Sequence, residues 1–165
     1  MNKQAIYEYL ISRDVKHEIT EHEAVVSMKE LCSVPLPYPD RDAKNLFLLD
    51  DKKQNYYLVT VMGDKHVDIK AFRRNHGTRP LNFAPPEALE SILGVKPGSV
   101  SPFGILNDEK RAAKVFLDAD FFNGSGIIGV HPNDNTATVW LNSTDLKSII
   151  ESHGNSVEIT DIPLR

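Results

Sequence analysis

The stretch NLFLLDDKKQNYYLVTVM, residues 45–62, decides the fold class of this chain. Two runs rich in Leu, Phe, Tyr and Val, residues 45–50 and 56–62, flank the polar segment Asp51–Asn55. Aromatic and branched apolar residues favour strands, and a short polar segment between two such runs is typical of a hairpin turn. We therefore predict an antiparallel β-hairpin here.

Helical and strand patterns follow one another on both sides of this hairpin. Apolar spacing and end signals predict helices up to about Asp14, from Ser27 (a capping box with Glu30), over Val67–His76, over Pro85–Gly94 and from a Ser143 cap to His153. Strands are predicted over 103–106, 115–119, 127–130, 136–141 and 157–160. Because several of these strands follow each other directly, we predict a single α/β (α+β) domain over residues 1–165, with a mixed, largely antiparallel sheet.

Composition narrows the function classes. The chain has 165 residues, of which 41% are hydrophobic and 25% charged, which is typical of one globular domain and excludes collagen, coiled coil and bulk disorder. Its net charge of -4 would on average repel a polyanion, so RNA binding requires a local basic patch and a general nucleic-acid coat protein is disfavoured. Cys32 is the single cysteine and has no disulfide partner, and the sequence shows no signal-peptide core, so we expect a cytoplasmic protein. It also has no apolar run of about 18 residues, so we expect no membrane partner.

Three sites with possible chemistry lack the sequence context that the chemistry requires. Gly124–Gly129 fits the dinucleotide fingerprint, but the turn-forming residues 130–135 follow where a helix must begin. His17–His22 misses both zinc-peptidase patterns, so we interpret its two histidines as solvated loop residues and predict no metal site. Cys32 has no local partner base and is interpreted as a small hydrophobic residue.

Three other features are less easily explained by folding alone. Lys44 stands at the mouth of an apolar strand, where packing gains nothing from a cation. The loop Gly98–Pro102 can present backbone N–H groups to a ligand oxygen. His131 lies on a turn stiffened by proline, where its ring can donate or accept a hydrogen bond.

These features, in their order and spacing, resemble the YbaK/ProX family of aminoacyl-tRNA editing domains. Within that family the chain is most similar to the free-standing prolyl-tRNA editing branch, which deacylates Ala-tRNA(Pro). The resemblance covers nearly the whole chain and rests on residues 44–50, 67–72, 93–104 and 135–138. It implies a barrel-like sheet with surrounding helices, no cofactor, no role for DNA, and aminoacylated tRNA(Pro) as partner, with prolyl-tRNA synthetase as a second candidate partner.

The resemblance also implies roles for individual residues. Lys44 and Asn45 are expected to bind the terminal adenosine and the ester, and His131 to position the amino acid or the ribose hydroxyl. The loop residues expected to bind substrate are Gly98, Ser99, Val100, Ser101 and Pro102. One departure is the charged segment 38–43, where relatives often carry a glycine. Water would attack the activated ester without a protein nucleophile, and proline would be excluded by its size.

A cluster of cations is the candidate tRNA-binding face. It comprises Lys65, Lys70, Arg73, Arg74 and Arg79. A solvated helix face explains the same pattern, and salt-dependent binding would favour phosphate contact. Two other functions stay open: a deacylase for Cys-tRNA(Pro) or another small-amino-acid tRNA, and a tRNA- or synthetase-binding module without turnover.

Overall fold

A computed structural model describes residues 1–24 and 35–165 of the chain. The helices are α1 (Lys3–Ser12), α2 (Ile69–His76), α3 (Pro86–Ala88, continued by a π-helical turn over Leu89–Leu93) and α4 (Ser143–His153), with 3-10 helices at Pro102–Asn107 and Ala119–Phe122. The strands are β1 (His17–Glu21), β2 (Ala43–Asp50), β3 (Tyr56–Met62), β4 (Leu81–Phe83), β5 (Ala113–Asp118), β6 (Ile127–Val130), β7 (Ala137–Asn142) and β8 (Val157–Thr160). The helix predicted from Ser27, and Cys32, lie outside the described residues. No helix in the described ranges is long and apolar enough to cross a membrane.

The strands form two sheets. One has five strands in the order β4-β2-β3-β5-β8, and the other has three in the order β1-β7-β6. The predicted hairpin is confirmed as β2 and β3, which pair antiparallel with Leu46 opposite Val59. β5 and β8 extend this sheet in parallel, so the mixed α/β class is confirmed. The expected barrel-like closure is wrong, because the strands of the described residues form two separate sheets.

The two faces of β2 belong to two different cores. Phe47 packs in a cluster that also contains Ile6 of α1 and Ile150 of α4. Leu48 packs in a second cluster around Phe72 of α2. Successive side chains of a strand point to opposite faces, so helices cover both sides of the hairpin.

One parallel bridge joins the two sheets, between Asp42 at the start of β2 and Gly129 in β6. The amide of Gly129 donates to the carbonyl of Arg41 at 2.9 Å. The guanidinium of Arg41 in turn donates to the carbonyls of Ile127 and Phe121, each at 2.7 Å. These bonds hold the start of β2 against β6.

Three local predictions are corrected by the structure. Residues 103–106 form part of a 3-10 helix and not a strand, because the Ser101 hydroxyl accepts from the Phe103 amide and caps a helical turn. Asn142, not Ser143, caps α4, with its side chain accepting from Thr144 at 2.8 Å. His17 belongs to strand β1 rather than a loop, because pairing with Leu141 of β7 fixes its backbone.

Gly129 is a position at which a side chain would collide with the packed interior. A Cβ there would lie 2.4 Å from the ring of Trp140, which is only 1% exposed. We predict that Gly129→Ala lowers the free energy of unfolding by about 3 kcal/mol through overpacking, measured by chemical denaturation.

Gly77→Ala is the matched control for that substitution. A Cβ at Gly77 meets no atom within 4 Å, so only its left-handed backbone opposes alanine. We expect a loss of about 1 kcal/mol there. A Gly129→Ala protein as stable as the Gly77→Ala protein would contradict the packing argument.

Candidate functional site

Lys44 and His131 lie on the same side of the joined sheets. The bridge that connects β2 to β6 joins Asp42 to Gly129; Lys44 follows Asp42 by two residues, and His131 follows Gly129 by two residues. Their neighbours Ala43 and Val130 both pack in the core on the α1 side. Because side chains alternate along an extended chain, Lys44 and His131 point to the opposite side from that core.

The ring of His131 is held in one orientation. Its Nδ1 lies 3.0 Å from the carbonyl oxygen of Ala137, and since a carbonyl can only accept, Nδ1 carries the hydrogen. Burial lowers the pKa of His131 and outweighs the hydrogen bond to Ala137, which acts in the opposite direction. The neutral ring therefore offers Nε2 as a hydrogen-bond acceptor.

A second histidine stands beside it, which the sequence interpretation placed in a solvated loop. The rings of His22 and His131 meet edge to face with centroids 6.3 Å apart. His22 Nδ1 lies 2.8 Å from the carbonyl of Glu23, and its Nε2 accepts from the hydroxyl of Thr138 at 3.0 Å. His22 does lie just beyond the end of β1 and is partly exposed, but its contacts with Thr138 and with the ring of His131 were not predicted.

The loop Gly98–Pro102 is attached to His131. The buried hydroxyl of Ser101 donates to the backbone carbonyl of His131. Gly98 has a φ of 89°, a left-handed backbone that favours glycine. Within the described part of the chain, no carbonyl accepts from the amides of Gly98 and Val100. The loop therefore lies against the backbone of His131, and two of its amides have no hydrogen-bond acceptor among the described residues.

The Lys44 amine lies in a cavity of about 390 Å³ at the edge of the five-stranded sheet. Its Nζ donates to the carbonyl of Lys65 at 3.2 Å, so two of its three hydrogens remain for a ligand. Three other basic side chains line this cavity, from His66, Lys70 and Arg165. The cavity is therefore suited to an anionic group.

Asn45 lies on the other side of β2. Its Oδ1 accepts a hydrogen bond of 2.7 Å from the hydroxyl of Thr60 on β3. Strand alternation puts Asn45 on the face of Ala43 and Phe47, which is opposite to that of Lys44. Alternation thus places Lys44 and His131 on the same side of the joined sheets and Asn45 on the opposite side.

The predicted basic face is divided. Lys65 forms ion pairs with Asp118 and Asp120; burial alone would lower its pKa, but these two carboxylates raise it. Arg79 donates two hydrogen bonds to Asp51. Lys70, Arg73 and Arg74 are exposed and form no ion pair within the described residues, so they are the members most available to a phosphate.

Comparison with known proteins defines the class. Residues 22–149 match the aminoacyl-tRNA editing domain. The chain belongs to this family, and the resemblance inferred from its motifs is confirmed. The activity class supported by this membership is aminoacyl-tRNA deacylation.

The chain is also similar to individual proteins along almost its whole length. The chain is 35% identical to the prolyl-tRNA editing protein ProX of Acetoanaerobium sticklandii, over 97% of each chain. It is 29% identical to the prolyl-tRNA synthetase associated domain-containing protein 1 of Bos taurus, over 93% of this chain and 91% of the other. A crystal structure of a candidate trans-editing enzyme for prolyl tRNA synthetase shares the fold, with a TM-score of 0.75, 20% identity, and 99% and 97% coverage.

The geometry of His131 makes a prediction about its titration. Because burial lowers its pKa, we expect the His131 ring to titrate below the ordinary value of 6.5, with the neutral form protonated at Nδ1. NMR titration of the imidazole resonances, assigned with a His131→Gln variant, measures both the pKa and the position of the hydrogen in the neutral ring. A midpoint at or above 6.5, or a neutral form protonated at Nε2, would contradict this description of the site.

Proposed function

We propose that this protein removes alanine from mischarged Ala-tRNA(Pro) by hydrolysis in trans, in the cytoplasm. The observation that carries the proposal is the placement of Lys44 and His131 on one face, with the Gly98–Pro102 loop hydrogen-bonded to His131. The names of the relatives, a prolyl-tRNA editing protein among them, support tRNA(Pro) as the substrate. Prolyl-tRNA synthetase is then the source of the mischarged tRNA.

Each group has a defined part in this reaction. Water attacks the ester carbonyl carbon, the bond to the ribose oxygen breaks, and alanine and a tRNA with a free hydroxyl are released. The unused amides of the Gly98 loop stabilise the negative charge that develops on the carbonyl oxygen. His131 Nε2 accepts a hydrogen bond from the neighbouring ribose hydroxyl and so orients the ester.

Lys44 binds the terminal nucleotide through its two unused hydrogens. An ammonium group is a compact charge that suits a phosphate or a ribose oxygen. Asn45 acts as a positioning residue in this scheme, because its bond to Thr60 ties β2 to β3 next to Lys44. An aminoacyl ester is already activated, so this arrangement needs no covalent protein nucleophile.

Specificity for alanine would be steric. A pocket made for proline discriminates against a smaller side chain by only about 1–3 kcal/mol, so a second site that admits small residues is the physical remedy. Proline would overlap with the wall of this second site. Cysteine is close to alanine in size and is therefore the principal competing substrate.

A panel of Ala-, Cys-, Ser- and Pro-tRNA(Pro) tests the substrate assignment. We expect Ala-tRNA(Pro) to be hydrolysed fastest and Pro-tRNA(Pro) at least about 100-fold more slowly, because overlap with the pocket wall excludes proline. Release of labelled amino acid at a fixed enzyme concentration measures each rate.

The other outcomes of this panel have distinct meanings. Faster hydrolysis of Cys-tRNA(Pro) would make the protein a cysteine deacylase of the same fold. Equal rates for Ala- and Pro-tRNA(Pro) would exclude the size mechanism. Binding of all four without release of any amino acid would make the protein a tRNA-binding module.

Lys44→Ala tests the central cation. We predict that this variant loses about 100-fold in kcat/KM for Ala-tRNA(Pro), because a positioned charge at the reacting end is removed. Lys16→Ala, which removes an exposed lysine next to β1, is the matched control and should keep the wild-type rate. Circular dichroism verifies that both proteins fold. A Lys44→Ala protein that deacylates at the wild-type rate would refute the role given to Lys44.

A further inference from the structure

An exposed aromatic ring stands at the edge of the basic cavity. Phe83 ends the edge strand β4 and is 63% exposed, while Leu81, two residues earlier, is buried in the core under α2. Alternation along the strand puts both side chains on the same face. Phe83 pairs with Leu48 of β2 and lines the same cavity as Lys44.

The cations of this cavity are available to a ligand. Lys70 and Arg165 are exposed and have no carboxylate partner within the described residues. Among the described residues that line the cavity, one side chain is a carboxylate, that of Asp68, and its Oδ1 caps α2 by accepting from the amide of Ala71 at 3.0 Å. An excess of positive charge therefore surrounds the exposed ring.

Arg165 is held at the cavity by backbone pairing. Its amide donates to the carbonyl of His66 at 2.9 Å, and the amide of Asp68 donates to the carbonyl of Pro163 at 2.8 Å. A β-bridge between Val67 and Leu164 lies between these two bonds. The segment that carries Arg165 thus runs along residues 66–68, which form one wall of the cavity.

We propose that this cavity binds a nucleotide of the unpaired 3′ end of the tRNA, upstream of the adenosine that carries the amino acid. Phe83 stacks on the base, and Lys70 and Arg165 contact the phosphates on either side. A ring on which a base stacks, combined with a basic groove that follows the backbone, is the general mode of single-strand binding. This inference rests on the proposed function, because it uses the same substrate.

The order of the groups along β2 supports this assignment. His131 lies next to the beginning of β2, Lys44 is near that end, and Phe83 is opposite Leu48, four residues further on. Four residues of a strand span roughly 13 Å. An RNA end that delivers its ester to His131 and its terminal nucleotide to Lys44 would therefore continue toward Phe83.

Binding of uncharged RNA tests the aromatic contact. The probe is a short RNA hairpin ending in single-stranded CCA, with the same hairpin lacking CCA as a reference, and binding is followed by fluorescence anisotropy. We expect Phe83→Ala to weaken binding of the CCA hairpin about tenfold and leave the reference hairpin unchanged, whereas Phe83→Trp keeps the affinity. Ile11→Ala removes an exposed apolar side chain from α1 and should change neither.

Salt dependence tests the two cations. The slope of log affinity against log salt concentration should fall by nearly one for Arg165→Gln and for Lys70→Gln. Lys16 is exposed, directly precedes β1 of the other sheet and does not line the cavity, so Lys16→Gln should leave the slope unchanged. An unchanged slope in both cavity variants would overturn the phosphate contacts.

The outcomes separate this inference from the proposed function. Loss of CCA binding in Phe83→Ala, in a protein that hydrolyses no ester, would support the subsite and contradict the deacylase. Normal CCA affinity and normal KM in Phe83→Ala, in an active deacylase, would overturn the subsite alone. Binding of free AMP as tightly as the CCA hairpin would also overturn it, because the site would then serve a free nucleotide.

Discussion

The bridge between Asp42 and Gly129 is the constraint on which the rest of the structure depends. It is formed by two segments that are remote in sequence, and it requires a residue without a side chain where the ring of Trp140 lies against β6. The Arg41 guanidinium reinforces it through backbone carbonyls. Burial at the same place raises the pKa of the Asp42 carboxyl. Without this bridge, Lys44 and His131 would belong to two independent sheets.

The proposed site combines a rigid polar part with a basic part. His131 and His22 are each held through Nδ1 by a backbone carbonyl, so their rings have defined acceptor sides. Ser101 connects the loop that carries unused amides to the same place. Lys44 lines the basic cavity, which forms the other part. Fixed donors and acceptors of this kind favour a reaction in which orientation of an activated ester provides most of the rate.

Positive charge is unevenly distributed over this chain of net charge -4. Lys65 and Arg79 are compensated by aspartates, whereas Lys70, Arg73, Arg74 and Arg165 are exposed around or near one cavity. The acidic remainder of the surface disfavours long stretches of nucleic acid. Such a surface would suit the proposed binding of a tRNA end.

The sequence by itself determined the elements whose signals are local, and with them the family. The hairpin of β2 and β3, helices α2 and α4, and strands β5 to β8 follow from periodicity and end signals, which act over a few residues. The same signals failed at residues 103–106, where the Ser101 cap makes an apolar run form a helical turn. They also failed at His17, which lies in a strand because β1 pairs with β7. They also gave no indication that Lys65 is neutralised by Asp118 and Asp120. Only the tertiary structure decided that the start of β2 lies against β6 and that Ser101 is hydrogen-bonded to the backbone of His131, because strand register and contact between distant segments leave no pattern within either segment alone.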